Sequence, residues 1–261
     1  MLRRNTMIPI KSADEIQQMR ESCRIAACVL DEITRMVAPG INTYDLDQEG
    51  KRLIASFGAH SACFGYRVGS RSYPAYTCLS VNEEVVHGIG SLHRVLREGD
   101  IITIDVCVVY RGFVGDNART VAVGTADPKI IALLRTTEEA LFHAIEQARE
   151  GNRVGDVSHA VQQYCERRGY SIIRDFVGHG VGRTMHEDPQ IPNFGAPGRG
   201  DRLHPGMTLA IEPMVALGRP EIEMCEDGWT AVTRDRAPSA HYEHTVLLTD
   251  DRPEILTIPK K

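Results

Sequence analysis

The chain has 261 residues, 42% hydrophobic and 25% charged, an ordinary composition for a globular protein with a sizeable core. Its formal net charge of −5 argues against a nucleic-acid-binding domain, which is usually basic, so we expect no DNA partner. No apolar stretch has the length of a signal peptide or a membrane span, and seven scattered cysteines without a CxxC pair indicate a reducing compartment, so we expect a cytoplasmic protein with no membrane partner.

The first predicted element is a helix. Residues 12–37 repeat apolar side chains at helical spacing behind a capping pair, Ser12 and Glu15, and Pro39-Gly40 ends the helix. Further along the chain, the patterns predict helices at about 43–57, 127–149 and 154–168, and strands at 101–110, 113–123, 172–176, 208–215, 231–232 and 242–248.

A shift of 111 residues aligns the first pair of helices with the second, so that Leu30 falls on Leu141 and Gly40 on Gly151. A chance likeness of two amphipathic helix pairs is the simpler interpretation. The alternative is a pseudo-symmetric α+β domain with related halves, about 12–125 and 126–258, and a site between them. No linker rich in Pro, Gly or Ser separates the halves, so we expect one domain over residues 1–261.

The two strongest predicted strands form a hairpin that carries two carboxylates. If Tyr110-Arg111 is its two-residue loop, Asp105 lies directly opposite Asp116, with Cβ atoms about 4.5–5.5 Å apart. Such a pair repels, and Asp is a poor strand residue, so one or two divalent cations would compensate the charge. The alternative is a pair of solvated aspartates on an exposed hairpin, and a one-residue slip in register would break the argument.

Three further segments carry candidate ligands. His179 stands between two glycines, which let the backbone come close to a ligand. Glu212 ends an apolar strand before Pro213, and Glu243 shares one face of a strand with His241. Each has an ordinary alternative, a packed histidine or an ion pair with arginine. Taken together with the hairpin, four carboxylates and one imidazole match two divalent ions of the Mn²⁺, Fe²⁺, Co²⁺ or Zn²⁺ kind, and predict hydrolysis of an amide, ester or phosphate.

These residues and their settings resemble the methionine aminopeptidases of type I, over nearly the whole chain. The motifs that carry the resemblance are SVNEEVVHG (80–88), IDV with GD (Asp105 and Asp116), GHGVGRTMHEDP (178–189), IEPM (211–214) and YEHT (242–245). The resemblance implies the α+β pita-bread fold, a pseudo-two-fold antiparallel sheet with helices on its outer face. The compact bacterial-like form is the best match, because the chain begins close to its first helix and only 33 positions separate His179 from Glu212.

The resemblance implies removal of the N-terminal methionine from polypeptides with a small second residue, by two-metal hydrolysis of the first peptide bond. Asp105 would bind one metal ion, Asp116 and Glu243 would bridge both, and His179 and Glu212 would complete the other site. The implied partners are nascent polypeptide N-termini and the ribosome that carries them, and we expect a monomer.

Three of the implied roles are catalytic. Glu212 would also position or deprotonate the attacking water. His186 would contact the substrate near the scissile carbonyl, and His87 would contact it near the leaving nitrogen. Neither histidine would be a metal ligand.

The resemblance also implies an apolar, adaptable pocket for the methionine thioether. The matching positions are Cys63, Tyr66, Tyr73, Cys78, Met185 and Trp229, and ordinary core is the alternative for each of them. The loop between Cys63 and Cys78 is a few residues longer than in the compact family pattern. The resemblance therefore does not determine whether Tyr66 lies in the pocket. A monovalent cation would bind backbone carbonyls around Asn82, Glu84 and Ser239.

Two rival functions stay open at this point. An X-Pro aminopeptidase or prolidase shares the fold, although such chains typically carry a sizeable domain ahead of the catalytic one. A binding module of the same fold is the rival from another class, since fold does not determine function. Such a module would be expected to lose ligands, whereas all five are present in this chain.

Overall fold

The computed structural model describes residues 8–259. Its helices are α1 (Ala13–Met36), α2 (Thr43–Ser56), α3 (Pro128–Ile145) and α4 (Val154–Glu166). Its strands are β1 (His60–Ser61), β2 (Arg67–Val68), β3 (Arg71–Ser72), β4 (Cys78–Val81), β5 (Glu84–Val86), β6 (Ile101–Tyr110), β7 (Phe113–Ala122), β8 (Ser171–Ile172), β9 (Val177–Gly180), β10 (Glu187–Pro192), β11 (Thr208–Ile211), β12 (Met214–Ala216), β13 (Ile222–Met224), β14 (Ala231–Thr233), β15 (Ser239–His241), β16 (Glu243–Leu247) and β17 (Glu254–Ile255).

The helices begin where their capping residues predict. The Ser12 hydroxyl accepts a hydrogen bond from the backbone of Glu15, whose carboxylate accepts from the Ser12 N–H, so the predicted capping box is confirmed. The predicted end of α3 near residue 149 was wrong. After Ile145 the backbone hydrogen bonds change to a spacing of three residues, and a turn leads to Gly151.

The two helix pairs that align after the 111-residue shift have the same design. Gly40 follows α1 with φ +95°, and Gly151 follows α3 with φ +88°, a left-handed conformation that favours glycine. Leu30 and Leu141 are both buried in the core. The α1–α2 and α3–α4 pairs therefore share a left-handed glycine after the first helix and a buried leucine at the aligned position.

Within residues 8–259, the largest sheet has nine strands in the order β1-β6-β7-β16-β11-β9-β10, with β4 also pairing β6 and β17 also pairing β16. The centre of this antiparallel sheet joins β7 from the first half of the chain to β16 from the second. Helix α1 packs against β6 and β7. A Cβ on Gly115 of β7 would lie 2.4 Å from the carbonyl of Ser22 in α1, so glycine is what permits this close approach.

The predicted register of the β6–β7 hairpin was wrong by two residues. The loop is Arg111-Gly112, in which both residues have positive φ, +49° and +80°, as a type I′ turn requires. Asp105 therefore pairs with Ala118, and Asp116 pairs with Cys107. Because side chains alternate with a period of two, the shift leaves both aspartates on the same face, as diagonal neighbours rather than as a direct pair.

Two predicted strands have different bounds in the structure. Residues 208–215 form β11 and β12 with a break at Glu212-Pro213, and residues 242–248 form only β16, with β15 ending just before Tyr242. The breaks adjoin, because the Tyr242 N–H donates to the Pro213 carbonyl at 3.3 Å. The paired ribbon thus leaves the large sheet, where β11 pairs β16, and enters a second sheet, where β12 pairs β15.

The predicted strand at 172–176 was also wrong. Strand β8 pairs with β12 only at Ser171 and Ile172, and the chain then turns into β9 beside β11. Among the described helices, none combines the length and the apolar character that crossing a bilayer demands.

Candidate active site

The carboxylates of the hairpin meet a third carboxylate across the centre of the sheet. Glu243 of β16 pairs with Ala118 of β7, which in turn pairs with Asp105 of β6. Asp116 is two residues from Ala118 and therefore lies on the same face. The junction of the two halves thus brings these three acids together on one surface of the sheet.

His179 reaches the acids from β9. Its glycine neighbours are needed for packing, since a Cβ on Gly180 would lie 2.2 Å from the carbonyl oxygen of Asp188. The ring Nδ1 lies 2.9 Å from the Gly180 carbonyl, which can only accept, so Nδ1 carries the proton of the neutral ring. The unprotonated Nε2 is 4.0 Å from Asp116 Oδ2 and 3.4 Å from Glu212 Oε1.

Glu212 occupies the break between β11 and β12. Its backbone carbonyl accepts a hydrogen bond from Asn193 Nδ2 at 2.9 Å, which holds the bend in place. Its two carboxylate oxygens face different imidazoles, Oε1 toward His179 and Oε2 toward His241 Nε2 at 3.6 Å. The sequence predicted that His241 shares a strand face with Glu243, and it indicated no role for His241. The contact of its ring with Glu212 depends on the strand break at Tyr242, which is a feature of the tertiary structure.

Burial and mutual repulsion make these acids resist ionisation. Burial, followed by the charge of Asp116, raises the pKa of Asp105 well above its usual range. The pKa values of Glu212 and Glu243 are raised well above their usual range by burial and by the neighbouring acids. Burial raises the pKa of Asp116 to about 6. Positive charge at this position would relieve all four groups.

The donor set fits a divalent metal ion. Ligand atoms of Asp116, His179 and Glu243 all lie within 4.8 Å of one another, and all three residues are buried. Glu243 Oε1 is buried and has no hydrogen-bond partner among the residues described. Burial lowers the pKa of His179 to about 4, so its Nε2 lone pair is free to bind a metal. Such a buried, uncompensated acceptor set is what a cation site requires.

The acids form one end of a cavity of about 350 Å³ whose other walls are largely apolar. Every residue that the resemblance implied for metal, catalysis or the thioether pocket lines this cavity: Cys63, Tyr66, Tyr73, Cys78, His87, Asp105, Asp116, His179, Met185, His186, Glu212, Trp229 and Glu243. Cys107 and Phe176 also line it and were not predicted. Cys107 could have been predicted from the sequence, because it is two residues from Asp105 and therefore lies on the same face of β6.

Two further histidines, His87 and His186, line the cavity but are not part of the cluster of candidate metal ligands. His87 has φ +60°, an unusual backbone conformation for a residue with a side chain, and its ring packs edge-on against Phe176. His186 packs edge-on against His179, with ring centroids 4.5 Å apart. Its Nδ1 lies 2.7 Å from the Tyr66 hydroxyl, so the longer loop still brings Tyr66 to the site.

The three residues predicted to bind a monovalent cation meet one another. The Ser239 N–H donates to the Asn82 carbonyl at 2.9 Å, and the Ser239 hydroxyl donates to the Glu84 carbonyl at 3.3 Å. Arg94 Nη2 lies 3.7 Å from the Glu84 carboxylate, so a guanidinium already supplies positive charge to this loop.

Comparison with known proteins supports the same interpretation. Residues 17–250 match the model of metallopeptidase family M24. Methionine aminopeptidase of Clostridium acetobutylicum is 45% identical over 97% of this chain and 99% of its own length. Methionine aminopeptidase 1 of Bacillus subtilis is 45% identical over 96% of this chain and 99% of its own.

Solved structures agree on the architecture. The methionine aminopeptidase of Thermotoga maritima superposes with a TM-score of 0.93 at 47% identity, covering 96% of this chain and 99% of that one. The prolidase of Pyrococcus furiosus superposes with a TM-score of 0.76 at 23% identity, covering 97% of this chain and 66% of that one, a likeness of fold alone. The architecture is the pita-bread fold, as predicted. The chain belongs to metallopeptidase family M24 and, within it, to the methionine aminopeptidases.

Proposed function

We propose that this chain removes the N-terminal methionine from polypeptides with a small second residue, using two bound divalent metal ions. The observation that carries the proposal is a single cavity lined both by uncompensated acids and by apolar side chains. The acids match the charge of two divalent ions, and the apolar walls match an uncharged thioether. The two relatives described above, which match this chain over 99% of their own length, are both named methionine aminopeptidases.

Five residues hold the two ions. Asp105 would hold one ion, Asp116 and Glu243 would be shared by both, and His179 and Glu212 would complete the second site. The central position of Asp116 supports its bridging role, because it is close to His179 and its charge contributes to the raised pKa values of Asp105, Glu212 and Glu243. Bound divalent ions supply Lewis acidity toward the scissile carbonyl and activation of water at neutral pH.

Three side chains manage the protons. Glu212, whose pKa is raised, takes the proton of the attacking water. His186 donates to the carbonyl oxygen as negative charge develops there, and the Tyr66 hydroxyl holds its ring in place. His87 lines the same cavity and contacts the leaving nitrogen, which receives the proton that Glu212 took from the water. Burial lowers the pKa of His87 to about 4, so it is neutral near pH 7.

The apolar end of the cavity selects the first side chain. Tyr73 and Trp229 pack edge-on with ring centroids 5.3 Å apart, and the Tyr73 hydroxyl donates to the Gly88 carbonyl at 2.8 Å, which keeps its polar atom satisfied. Cys63, Cys78 and Met185 supply sulfur-containing, polarisable walls. These residues form the pocket for the methionine side chain.

The wider setting follows from the same proposal. The chain acts as one domain of two halves, because Asp105 and Asp116 come from the first half and Glu212 and Glu243 from the second. It acts as a monomer in the cytoplasm, where its free cysteines stay reduced, on polypeptide N-termini that emerge from the ribosome. A monovalent cation binds where Asn82, Glu84 and Ser239 meet.

Hydrolysis of Met-Gly-Met-Met by the metal-free chain, reloaded separately with Mn²⁺, Fe²⁺, Co²⁺ or Zn²⁺, tests the proposal. We expect metal-dependent release of free methionine and much slower release from a Met-Leu peptide, whose larger second side chain does not fit. The same series ranks the metals, which geometry alone does not distinguish. Metal bound without release of methionine would contradict the proposal and direct the search to proline-containing substrates, and then to a binding function.

A further inference from the structure

His241 is fixed by its backbone, not by its ring. Its N–H donates to Thr120 Oγ1 at 2.8 Å, and the same hydroxyl donates to the His241 carbonyl at 2.8 Å. Strand β15 also pairs His241 with Met214 of β12. The backbone of His241 is therefore held from two sides. This fixes the direction in which its side chain leaves the strand.

The ring of His241 is almost fully buried, yet neither of its nitrogens has a hydrogen-bond partner among the described residues. Its side chain is 3% exposed, and Nε2 lies 3.6 Å from Glu212 Oε2, just outside hydrogen-bond distance. A buried imidazole without partners is destabilising, and a hydrophobic side chain would avoid that cost. The Glu212 carboxylate, 3.6 Å from Nε2, is an acceptor that would relieve it.

Glu212 has one imidazole able to donate to it. His179 is also close to its carboxylate, but the proton of the His179 ring is on Nδ1, where it is bonded to the Gly180 carbonyl. His179 Nε2 therefore presents a lone pair to Glu212 Oε1. His241 Nε2, on the opposite side, is free to present a proton to Oε2.

We infer that His241 is a positioning residue. Its Nε2–H donates a hydrogen bond to Glu212 Oε2 and so orients this carboxylate to bind metal and to accept the proton of the attacking water. The inference rests on the proposed role of Glu212. Partners of this kind hold metal ligands in orientation, and their loss typically lowers metal affinity or activity by roughly 10–100-fold. The role needs a donor at the Nε2 position and makes no use of Nδ1.

Two substitutions separate this role from simple packing. In His241→Gln the side-chain amide takes the place of Nε2, whereas in His241→Asn it takes the place of Nδ1. We expect His241→Gln to stay close to the wild type, and His241→Asn to lose roughly 10–100-fold in kcat and in Co²⁺ affinity, with KM for Met-Gly-Met-Met unchanged in both. Co²⁺ affinity is measured by calorimetric titration of the metal-free chain. Equal behaviour of the two variants, in either direction, would overturn the inference.

A measurement on the wild type guards against variants that fail to fold. Long-range ¹H–¹⁵N NMR of the Zn²⁺-loaded full chain reports which nitrogen of His241 carries the proton, and we expect Nε2. A proton on Nδ1 would overturn the inference. If the wild type releases no methionine, the proposed function fails, while the Co²⁺ titrations and the ring tautomer still decide whether His241 positions Glu212.

Discussion

The Tyr66 hydroxyl lies 2.7 Å from Nδ1 of His186, at the mouth of the cavity. Burial raises the pKa of Tyr66 and lowers that of His186, so near pH 7 a neutral phenol meets a neutral imidazole. When the hydroxyl donates to Nδ1, the ring proton is on Nε2, the nitrogen that remains available to the substrate. A residue of the proposed thioether pocket, by donating to Nδ1, would thus also set the tautomer of a proposed catalytic histidine.

Tyr66→Phe removes this hydrogen bond and keeps the aromatic wall. We expect kcat for Met-Gly-Met-Met to fall by roughly 3–10-fold, the equivalent of one net hydrogen bond, with little change in KM. Tyr76→Phe is the matched control, because Tyr76 stacks on Phe64 and does not line the cavity. An equal loss in both variants would show that the hydroxyl of Tyr66 has no specific role.

Metal removal should lower thermal stability. The acids of the site repel one another when they ionise, and bound cations remove that repulsion and stabilise the folded state by mass action. Calorimetric melting of the metal-free and Mn²⁺-loaded chain measures the difference. Identical melting temperatures would contradict the charge argument.

The melting difference should also depend on pH. The folded pKa of Asp116, about 6, lies above the unfolded value, so its protonated form stabilises the metal-free fold at low pH. That contribution is complete below the unfolded pKa and is lost as the pH rises through 6. The metal-free chain should therefore lose stability relative to the loaded chain as the pH rises from about 4 to about 6. A difference that narrows over this range would contradict the sign.

His87 and His186 should matter for rate and not for metal binding. We expect His87→Ala and His186→Ala each to lower kcat by about 10²-fold or more, as loss of a proton-handling group does, with metal content intact. Asp116→Asn serves as the contrast, since loss of a bridging carboxylate should reduce bound metal. Plasma emission spectroscopy counts the metal, and loss of metal in either histidine variant would identify that histidine as a ligand.

A buried ion pair ties the segment before α1 to the start of β10. Lys11 Nζ lies 2.7 Å from Glu187 Oε2, and their side chains are only 4% and 11% exposed. Lys11→Met leaves a buried carboxylate without its cation, so we expect a loss of about 3 kcal/mol in the free energy of unfolding by urea. Arg20→Met, which breaks the more exposed pair with Glu254, should cost less than about 1 kcal/mol. Equal costs would show that burial does not govern the Lys11 pair.

Short-range signals predicted the helices and the first hairpin strand well. The capping box at Ser12 and the largely apolar run at Ile101–Tyr110 depend on neighbours within a few residues, and both have their predicted bounds at these ends. The hairpin register was missed because the positive φ of Arg111 is a property of the folded turn. The predicted face survived, since a shift of two residues leaves side chains on the same side.

The residues proposed to bind metal could be singled out from the sequence alone, because acids within apolar strands and a glycine-flanked histidine are unusual at any position, whereas the proposed substrate contacts followed only from the resemblance to the family. Motif order and spacing then identified the family. Tertiary structure decided where the strands break, at Glu212-Pro213 and Tyr242, because the ribbon there pairs with two different sheets. It also decided that His241 faces Glu212, and that Tyr66 bonds His186 across 120 positions of sequence. Local sequence patterns predict the face of a helix or strand on which a side chain lies. Contacts between distant segments depend instead on how the strands of the sheet pair across the molecule.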